Sequence, residues 1–328
     1  MEAMMTVSIR ESARLWGCSY YSAKKRREAG EDPPEPDQTG PRFLDMKQYP
    51  ESAESLWQSV IDSQGERAKW NRRQETVQVH VDTNLPISIT GRGDGHLGNE
   101  NTDHATFREH TRLLAETEGM YVIGLGDETD GYIKPSMMNG IQEATIRVKL
   151  QRMLVWDTWK ALRGKMLAAC KGQHDDWASQ LADFDPIEWA TSDFDIPYVG
   201  HGGDIALTVG EQEYLIRISH KGKGSSATNP FHSIMRDWRE NGSTDITFHA
   251  DKHTACVAKI HFQGEMRVAA RPGSYKLTDE FTQSLGFGRA IPAMPTIILW
   301  PDKRRLEVFD TIEGGAEYLS RLRGQAEA

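Results

Sequence analysis

From residue 76 onward, short apolar runs alternate with longer stretches of helical spacing. Residues 76–81 alternate apolar and polar as a strand does, and residues 87–90 form the next such run. Residues 120–125, 165–170, 214–219 and 245–248 are apolar and strand-length, and 266–270, 296–299 and 305–309 repeat the pattern near the C-terminus. Helical stretches are expected near 102–117, 140–163, 176–190 and 229–240. Alternation of this kind marks an α/β domain. The first 75 residues have another texture. Residues 9–17 carry apolar side chains at helical spacing and end at Gly17, and a second short helix is expected from Tyr20 to Glu28 behind Ser19. The acidic Glu31-Asp32-Pro33-Pro34-Glu35-Pro36 loop follows, and Gly40-Pro41-Arg42-Phe43-Leu44-Asp45 reads as the return strand of a wing. Leu56, Trp57, Val60 and Ile61 then place one amphipathic helix across residues 50–73.

Composition changes this picture in three places. A length of 328 residues is about twice a single-domain length. It divides as a helix-turn-helix at 1–48, a connecting helix at 49–75 and a large domain at 76–328. No run nears the roughly 18 apolar residues of a membrane helix, and the start has no signal-peptide pattern, so the expected compartment is the cytoplasm, with no membrane partner. Cys18, Cys170 and Cys256 form no CxxC pair and point to reduced thiols. The net charge of −9 argues against a chain coated in nucleic acid. It is an average, however: residues 10–27 hold Arg10, Arg14, Lys24, Lys25, Arg26 and Arg27 against Glu11 alone. Tyr20 and Tyr21 precede the four clustered cations, a combination suited to phosphate contact and groove insertion as well as to a solvated helix face.

The chemistry stands at the strand ends. After 87–90 comes Gly91-Arg92-Gly93-Asp94-Gly95-His96, and after 121–125 comes Gly126-Asp127-Glu128-Thr129-Asp130. Residues 166–170 lead into Lys171-Gly172-Gln173-His174-Asp175, residues 215–219 into His220, and residues 246–248 into His249, Asp251 and His253. In α/β sheets the carboxyl ends of strands line the ligand crevice, so these groups converge on one edge. Asp, His and amide donors without thiolate suit Mn²⁺, Fe or Zn²⁺ and accommodate two ions sharing one carboxylate.

The series D-x-H, G-D-x-x-D, G-Q-H-D, H and A-D-K-H resembles the calcineurin-like metallophosphoesterase superfamily, over residues 76–262 most firmly and to about 310. The resemblance implies a four-layer α/β/β/α sandwich preceded by the small helical module. It implies that Asp94, His96 and His253 hold one divalent ion, that Asp127 bridges to a second, and that Gln173 and His220 hold the second with a residue of the last motif. His174 would contact the scissile phosphate and protonate the leaving oxygen. Two departures fall on the second ion. Gln173 stands where the family has Asn, and Asp251 stands where the last motif has its first histidine, with His249 as the alternative donor. An added carboxylate favours Mn²⁺ or Mg²⁺ over Zn²⁺.

The N-terminal segment resembles, over about 45 residues, the winged helix-turn-helix domains of excisionase and MerR-like proteins. Coupled to the large domain, it points to a dimetal phosphodiesterase or nuclease acting on DNA, since a module that holds the strand raises its concentration for the module that cuts it. A phosphatase or small-molecule phosphodiesterase whose first module serves assembly, and a DNA-binding protein with a degenerate site, are the alternatives. Family nucleases often dimerise, which leaves a homodimer open. Lys221-Gly222-Lys223-Gly224 is no Walker motif; Lys221 and Lys223 are expected beside substrate phosphate or in a plain turn. Asp130 and Asp175 are expected to orient ligand histidines, and Arg271-Pro272-Gly273-Ser274-Tyr275 to form either a structural turn or a phosphate-facing rim.

Overall fold

A computed structural model describes residues 12, 20–32, 53–70, 76–131, 143–182, 185–226, 228–278, 283, 286 and 288–327. The chain divides into two compact units, Met1–Trp70 and Asn71–Ala328. In the first unit, α1 (Tyr20–Glu28) and α2 (Ala53–Trp70) are helical. The helix expected at residues 9–17, apart from Ser12, and the wing strand at 40–45 lie outside the described residues. Helix α1 buries Ala23 and exposes its cations, with Lys25, Arg26 and Arg27 in the last turn, where the helix dipole favours positive charge. Acidic neighbours answer several of them: Lys24 reaches Glu28 at 3.9 Å, Arg26 reaches Glu31 at 3.8 Å and Arg27 binds Asp32 at 2.7 Å.

The second unit is built on two sheets. Strands β2 (Ile87–Arg92), β3 (Met120–Gly124) and β4 (Met166–Ala169) run parallel, and β10 (Thr296–Leu299) and β11 (Leu306–Phe309) extend them antiparallel in the order β11-β10-β2-β3-β4. Parallel neighbours need crossovers. Helix α3 (His104–Glu116) supplies the first and α4 (Val148–Ala161) the second. The other sheet has the order β1-β5-β6-β7-β9-β8, from β1 (Val77–Val81), β5 (Gly202–Val209), β6 (Gln212–Ser219), β7 (Ile246–His249), β8 (Cys256–Phe262) and β9 (Glu265–Arg271).

Three apolar clusters give the layering. Between the sheets lie Ile89, Ile123, Leu167 and Ile297 of one, with Leu207, Ile216, Phe248 and Val268 of the other. Side chains one residue away point to the opposite face, as a pleated strand requires: Val122 and Ile298 pack under Leu114 of α3, Trp159 of α4, Ile187 of α6 (Pro186–Asp193) and Leu319 of α8 (Ile312–Glu327). On the far side, Ile234 and Trp238 of α7 (His232–Asn241) cover Ala269. The order is therefore helix, sheet, sheet, helix.

The helical stretch expected at 176–190 is two helices, α5 (Gln173–Ala182) and α6. Asp185 caps α6 by accepting from the backbone N–H groups of Ile187 and Glu188, with Pro186 at its first turn. Among the described residues no helix is long and apolar enough to cross a membrane.

Candidate metal centre

The loops after β2 and β3 run side by side. Backbone N–H groups of Asp94, His96 and Leu97 donate to the carbonyls of Gly126, Asp127 and Glu128, each at 3.0 Å. Glycines set the spacing at the next loop. A Cβ on Gly126 would strike the backbone of Gly172, and a Cβ on Gly172 would strike the Asp127 carboxylate, so the loops ending β3 and β4 meet backbone to backbone. Five of the seven non-glycine residues with positive φ among the described residues are Asp94, His96, Asp127, Asp251 and His253, between 44° and 68°. Each such turn costs on the order of 1 kcal/mol and persists where surrounding contacts fix it. Here it aims successive side chains inward.

Asp94, His96 and His253 form one convergent triad. His96 Nε2 and His253 Nε2 are 3.2 Å apart, and Asp94 Oδ1 lies 3.2 Å from the latter and 3.8 Å from the former. Asp94, Asp127 and His220 form a second, with His220 Nε2 at 3.1 Å from Asp127 Oδ2, and His96, Asp127 and His174 form a third. The histidine protons are placed by their other nitrogens. His220 Nδ1 donates to the Leu125 carbonyl at 2.7 Å, and His96 Nδ1 donates to Asp130 Oδ1 at 3.2 Å. Both Nε2 atoms are thereby left facing carboxylate oxygen, open to a proton or a cation. Asp94 Oδ1 and His220 Nε2 are buried without a hydrogen-bond partner. Such a knot of lone pairs is costly unless a cation joins it.

The electrostatics favour positive charge among these carboxylates. Burial opposes the charged form of Asp94, yet His253 and His220 hold its carboxyl below the usual range. Burial likewise opposes Asp127, and His220, His174 and His96 outweigh it. For His220, burial works against charge while the Asp127 and Asp94 carboxylates push it up to about 10. His96 goes the other way: burial takes it down to about 4, against the pull of Asp130, so its imidazole is neutral at pH 7 and able to ligate.

The remaining expected donors stand elsewhere. Gln173, at the exposed start of α5, accepts a hydrogen bond from Lys221 Nζ at 3.1 Å. Asp251 pairs with Lys252 at 2.8 Å and lies 3.9 Å from Lys221, while its backbone N–H donates to Asp94 Oδ2 at 3.3 Å. His249 is buried against α7, its Nδ1 at 3.1 Å from Ser233 Oγ. Lys223 faces Glu240 of α7 at 3.4 Å. Tyr20, Tyr21, Lys24, Lys25, Arg26 and Arg27 all lie on α1.

His174 stands beside the triads. Its backbone N–H donates to Asp127 Oδ1 at 2.7 Å, its Nδ1 donates to the Asp130 carbonyl, and its ring lies 4.7 Å from that of His96. Asp130 is thus a hub: its carboxylate also accepts from Asn99 Nδ2 at 2.7 Å and from the buried Lys276 Nζ at 3.3 Å. Asn99 and Lys276 were not visible in the motif spacing. The signal nearest to Lys276 was the Arg271–Tyr275 segment just before it. That segment is a structural turn. Arg271 is buried and donates to the Pro230 carbonyl at 2.8 Å, while the Tyr275 backbone N–H and the Ser274 hydroxyl both donate to the Asp94 carbonyl. Asp175 orients no histidine; its Oδ2 accepts from the backbone N–H groups of Asp127 at 2.7 Å and Gly172 at 2.9 Å. Burial and the neighbouring Asp127 charge push its carboxyl up to about 8.

No protein-family model matches the sequence, and no curated protein matches it. Similar solved structures include Vacuolar Protein Sorting 29 from Cryptosporidium parvum, 17% identical over 70% of this chain and 94% of that chain, TM-score 0.40. Vps29 complexed with Zn²⁺ from Entamoeba histolytica is 12% identical over 68% and 99%, TM-score 0.36. A metallophosphoesterase from Sphaerobacter thermophilus is 12% identical over 73% and 95%, TM-score 0.32.

Proposed function

We propose that the chain is a dimetal phosphodiesterase that cleaves nucleic acid, with DNA as substrate and the N-terminal module as its DNA-binding part. The observation that carries this reading is the meeting of the triads Asp94–His96–His253 and Asp94–Asp127–His220 at one buried point. The buried Asp94 Oδ1 and His220 Nε2, both without hydrogen-bond partners, fit a site for cations. Asp94, His96 and His253 would hold one ion and His220 the other, with Asp127 between them; carboxylate and imidazole donors suit Mn²⁺ and admit Mg²⁺, Fe or Zn²⁺. Bound there, two divalent ions supply the positive charge that neutralises a phosphate and acidifies an attacking water.

The chain's own residues do the rest. Asp130 fixes the His96 ring through Nδ1, and its carbonyl accepts from His174 Nδ1, so that the His174 ring in its doubly protonated form gives the Nε2 proton to the leaving oxygen and is left neutral. Lys221, exposed at the rim beside Gln173, meets the arriving phosphate. Gln173 and Asp251, now engaged by Lys221 and Lys252, would hold the second ion only on leaving those lysines.

A phosphatase or small-molecule phosphodiesterase, with the N-terminal module in assembly, is the second reading. It is favoured by one observation, that α1 spends Lys24, Arg26 and Arg27 on its own acidic neighbours. Chelator-stripped protein reloaded with Mn²⁺, Mg²⁺, Fe or Zn²⁺ separates the two. The first predicts turnover of bis-p-nitrophenyl phosphate and cleavage of DNA. Turnover of p-nitrophenyl phosphate alone moves the assignment to the phosphatase, and no turnover with any ion removes both.

A further inference from the structure

We propose that α4 is a docking surface for single-stranded nucleic acid, one that lays the strand along its exposed arc and leads it to the Asp/His cluster. The inference rests on the phosphodiesterase reading and names the form of its substrate.

Helix α4 has an outer face unlike those of its neighbours. Its buried side is ordinary, with Gln151, Val155, Thr158 and Trp159 turned to the sheet. Its outer side keeps Leu150 44% exposed, Met153 58% and Leu154 41%, large apolar side chains that a surface helix ordinarily turns inward. Lys149 and Lys160 share this arc by helical spacing with one carboxylate, the exposed Asp157, and Arg147 and Arg163 stand exposed at its ends, so cations outnumber it four to one. Among the described residues none of these four cations forms an ion pair. Elsewhere the chain pairs some such residues along a helix, Arg112 of α3 with Glu109, Arg236 of α7 with Glu240 and Arg321 of α8 with Glu317, and leaves others, Arg108 of α3 and Arg239 of α7, without an ion pair among the described residues; the four around α4 differ in flanking exposed apolar side chains. Unpaired cations on a chain of net charge −9 call for an anionic partner.

The apolar side chains narrow the chemistry. A duplex offers its phosphates and keeps its bases stacked inside, so it would leave Leu150, Met153 and Leu154 against water. A single strand offers both phosphate and the flat faces of its bases. A platform for those faces stands at the arc's edge: Trp189 of α6 is 47% exposed and stacks on Trp156 of α4, with ring centroids 4.9 Å apart and an interplanar angle of 29°. The N-terminal end of the helix also lies near the cluster, through its buried face. Gln151, in the first turn of α4, accepts from the backbone N–H of Gly131 at 3.0 Å, and Gly131 directly follows Asp130, which holds His96. A helix of 14 residues spans about 21 Å, room for a few extended nucleotides ending at the cluster. A basic-apolar face also suits an anionic bilayer. The position of this one beside the Asp/His cluster, and its stacked tryptophans, favour the strand.

The test is fluorescence anisotropy of a labelled oligothymidine of about twenty nucleotides, a length that covers one to several stacking sites, with the full chain in chelator so that nothing is hydrolysed. The expected results are tighter binding of the single strand than of a duplex of equal length, and at least a tenfold loss of that binding in Lys149→Glu/Lys160→Glu, with the salt slope of log K shallower by roughly 1 to 2. Leu150→Ser/Met153→Ser weakens binding severalfold and keeps the slope, and Trp189→Phe removes part of the tryptophan quenching on binding. Both double variants lie at exposed positions, and circular dichroism checks that each folds. Wild-type affinity in both of them overturns the proposal, as does equal binding of duplex and single strand. Binding to vesicles of phosphatidylserine and phosphatidylcholine that oligonucleotide fails to displace also overturns it. A failed phosphodiesterase reading shows separately, as absent turnover of bis-p-nitrophenyl phosphate with every ion, since the anisotropy needs no chemistry.

Discussion

At the Asp/His cluster charge is buried, and every charged group has its direction fixed by another. Asp94 and Asp127 are sealed from solvent, His96 and His220 are turned by Asp130 and the Leu125 carbonyl, and the backbone bends into the left-handed region to bring them together. On α1 the charge is exposed. Lys24, Arg26 and Arg27 reach acidic residues four or five positions along the chain, and Lys25 faces water. Exposed pairs of this kind contribute little, about 0–1 kcal/mol each. The difference shows where chemistry resides: buried charge must be held in a geometry, and the geometry says what it is for, whereas exposed charge states only its sign.

The comparison breaks most decisively at Asp127. Asp127→Asn removes one carboxylate from the middle of the cluster without changing its shape, and kcat/KM for bis-p-nitrophenyl phosphate with Mn²⁺ should fall by roughly 10³-fold. Activity within tenfold of the native chain would place the chemistry elsewhere. His174→Ala should cost about 10²-fold in kcat at unchanged metal content, and the loss should grow as the leaving group becomes more basic, because a good leaving group needs no proton. A loss of bound metal in that variant would make His174 a ligand instead.

Acid should weaken the fold partly through a histidine outside the cluster. His249 titrates near 6.5 when unfolded; in the fold burial takes it down to about 4, with Asp237 opposing and Arg271 assisting. Between those values the unfolded chain binds the extra proton, so stability is intact above 6.5 and falls as the pH drops toward 4. The full shift corresponds to at most about 3 kcal/mol. His249→Gln should flatten the stability curve of the metal-free protein over that interval, and an unchanged slope in urea titrations would remove His249 from the account. The smallest effect should come from α1. Lys24→Glu/Lys25→Glu should weaken duplex DNA binding about fivefold and make the salt slope shallower by roughly 2; no change would leave α1 as a solvated face.

Where sequence and structure agree, a local pattern was sufficient. The parallel strands β2, β3 and β4 are buried along nearly their whole length, as strands covered on both faces must be, with Ser88, Thr90 and Arg92 of β2 as the polar exceptions to an apolar run. Their ends carry Asp94, Asp127 and His174, and topology alone brings strand ends to one edge. Strand β5 escaped notice because Gly202, Gly203 and Asp204 open it with no apolar alternation; its pairing is supplied from outside by β1 and β6. Edge strand β8 escaped because Lys259 and His261 occupy its solvent side. At the site, the triads were legible because each of their residues follows a strand. The direction of Gln173 was not, since a residue on the first turn of a helix points where that helix packs. The contact of Asp130 with His96 was expected, but its other partners, Asn99 and Lys276, were not, because they come to it along loops with no period to read.

The clustered side chains are drawn from five separate places in the chain, and His96 and His253, whose nitrogens meet at 3.2 Å, are 157 positions apart. No hairpin, half-sheet or early intermediate can assemble such a centre, since contacts of that separation form only after long loops close. Assembly of this cluster therefore reports on completion of the fold itself. During refolding, ion uptake should lag behind recovery of secondary structure and coincide with docking of the two sheets, which makes the centre a built-in clock for the last step of folding.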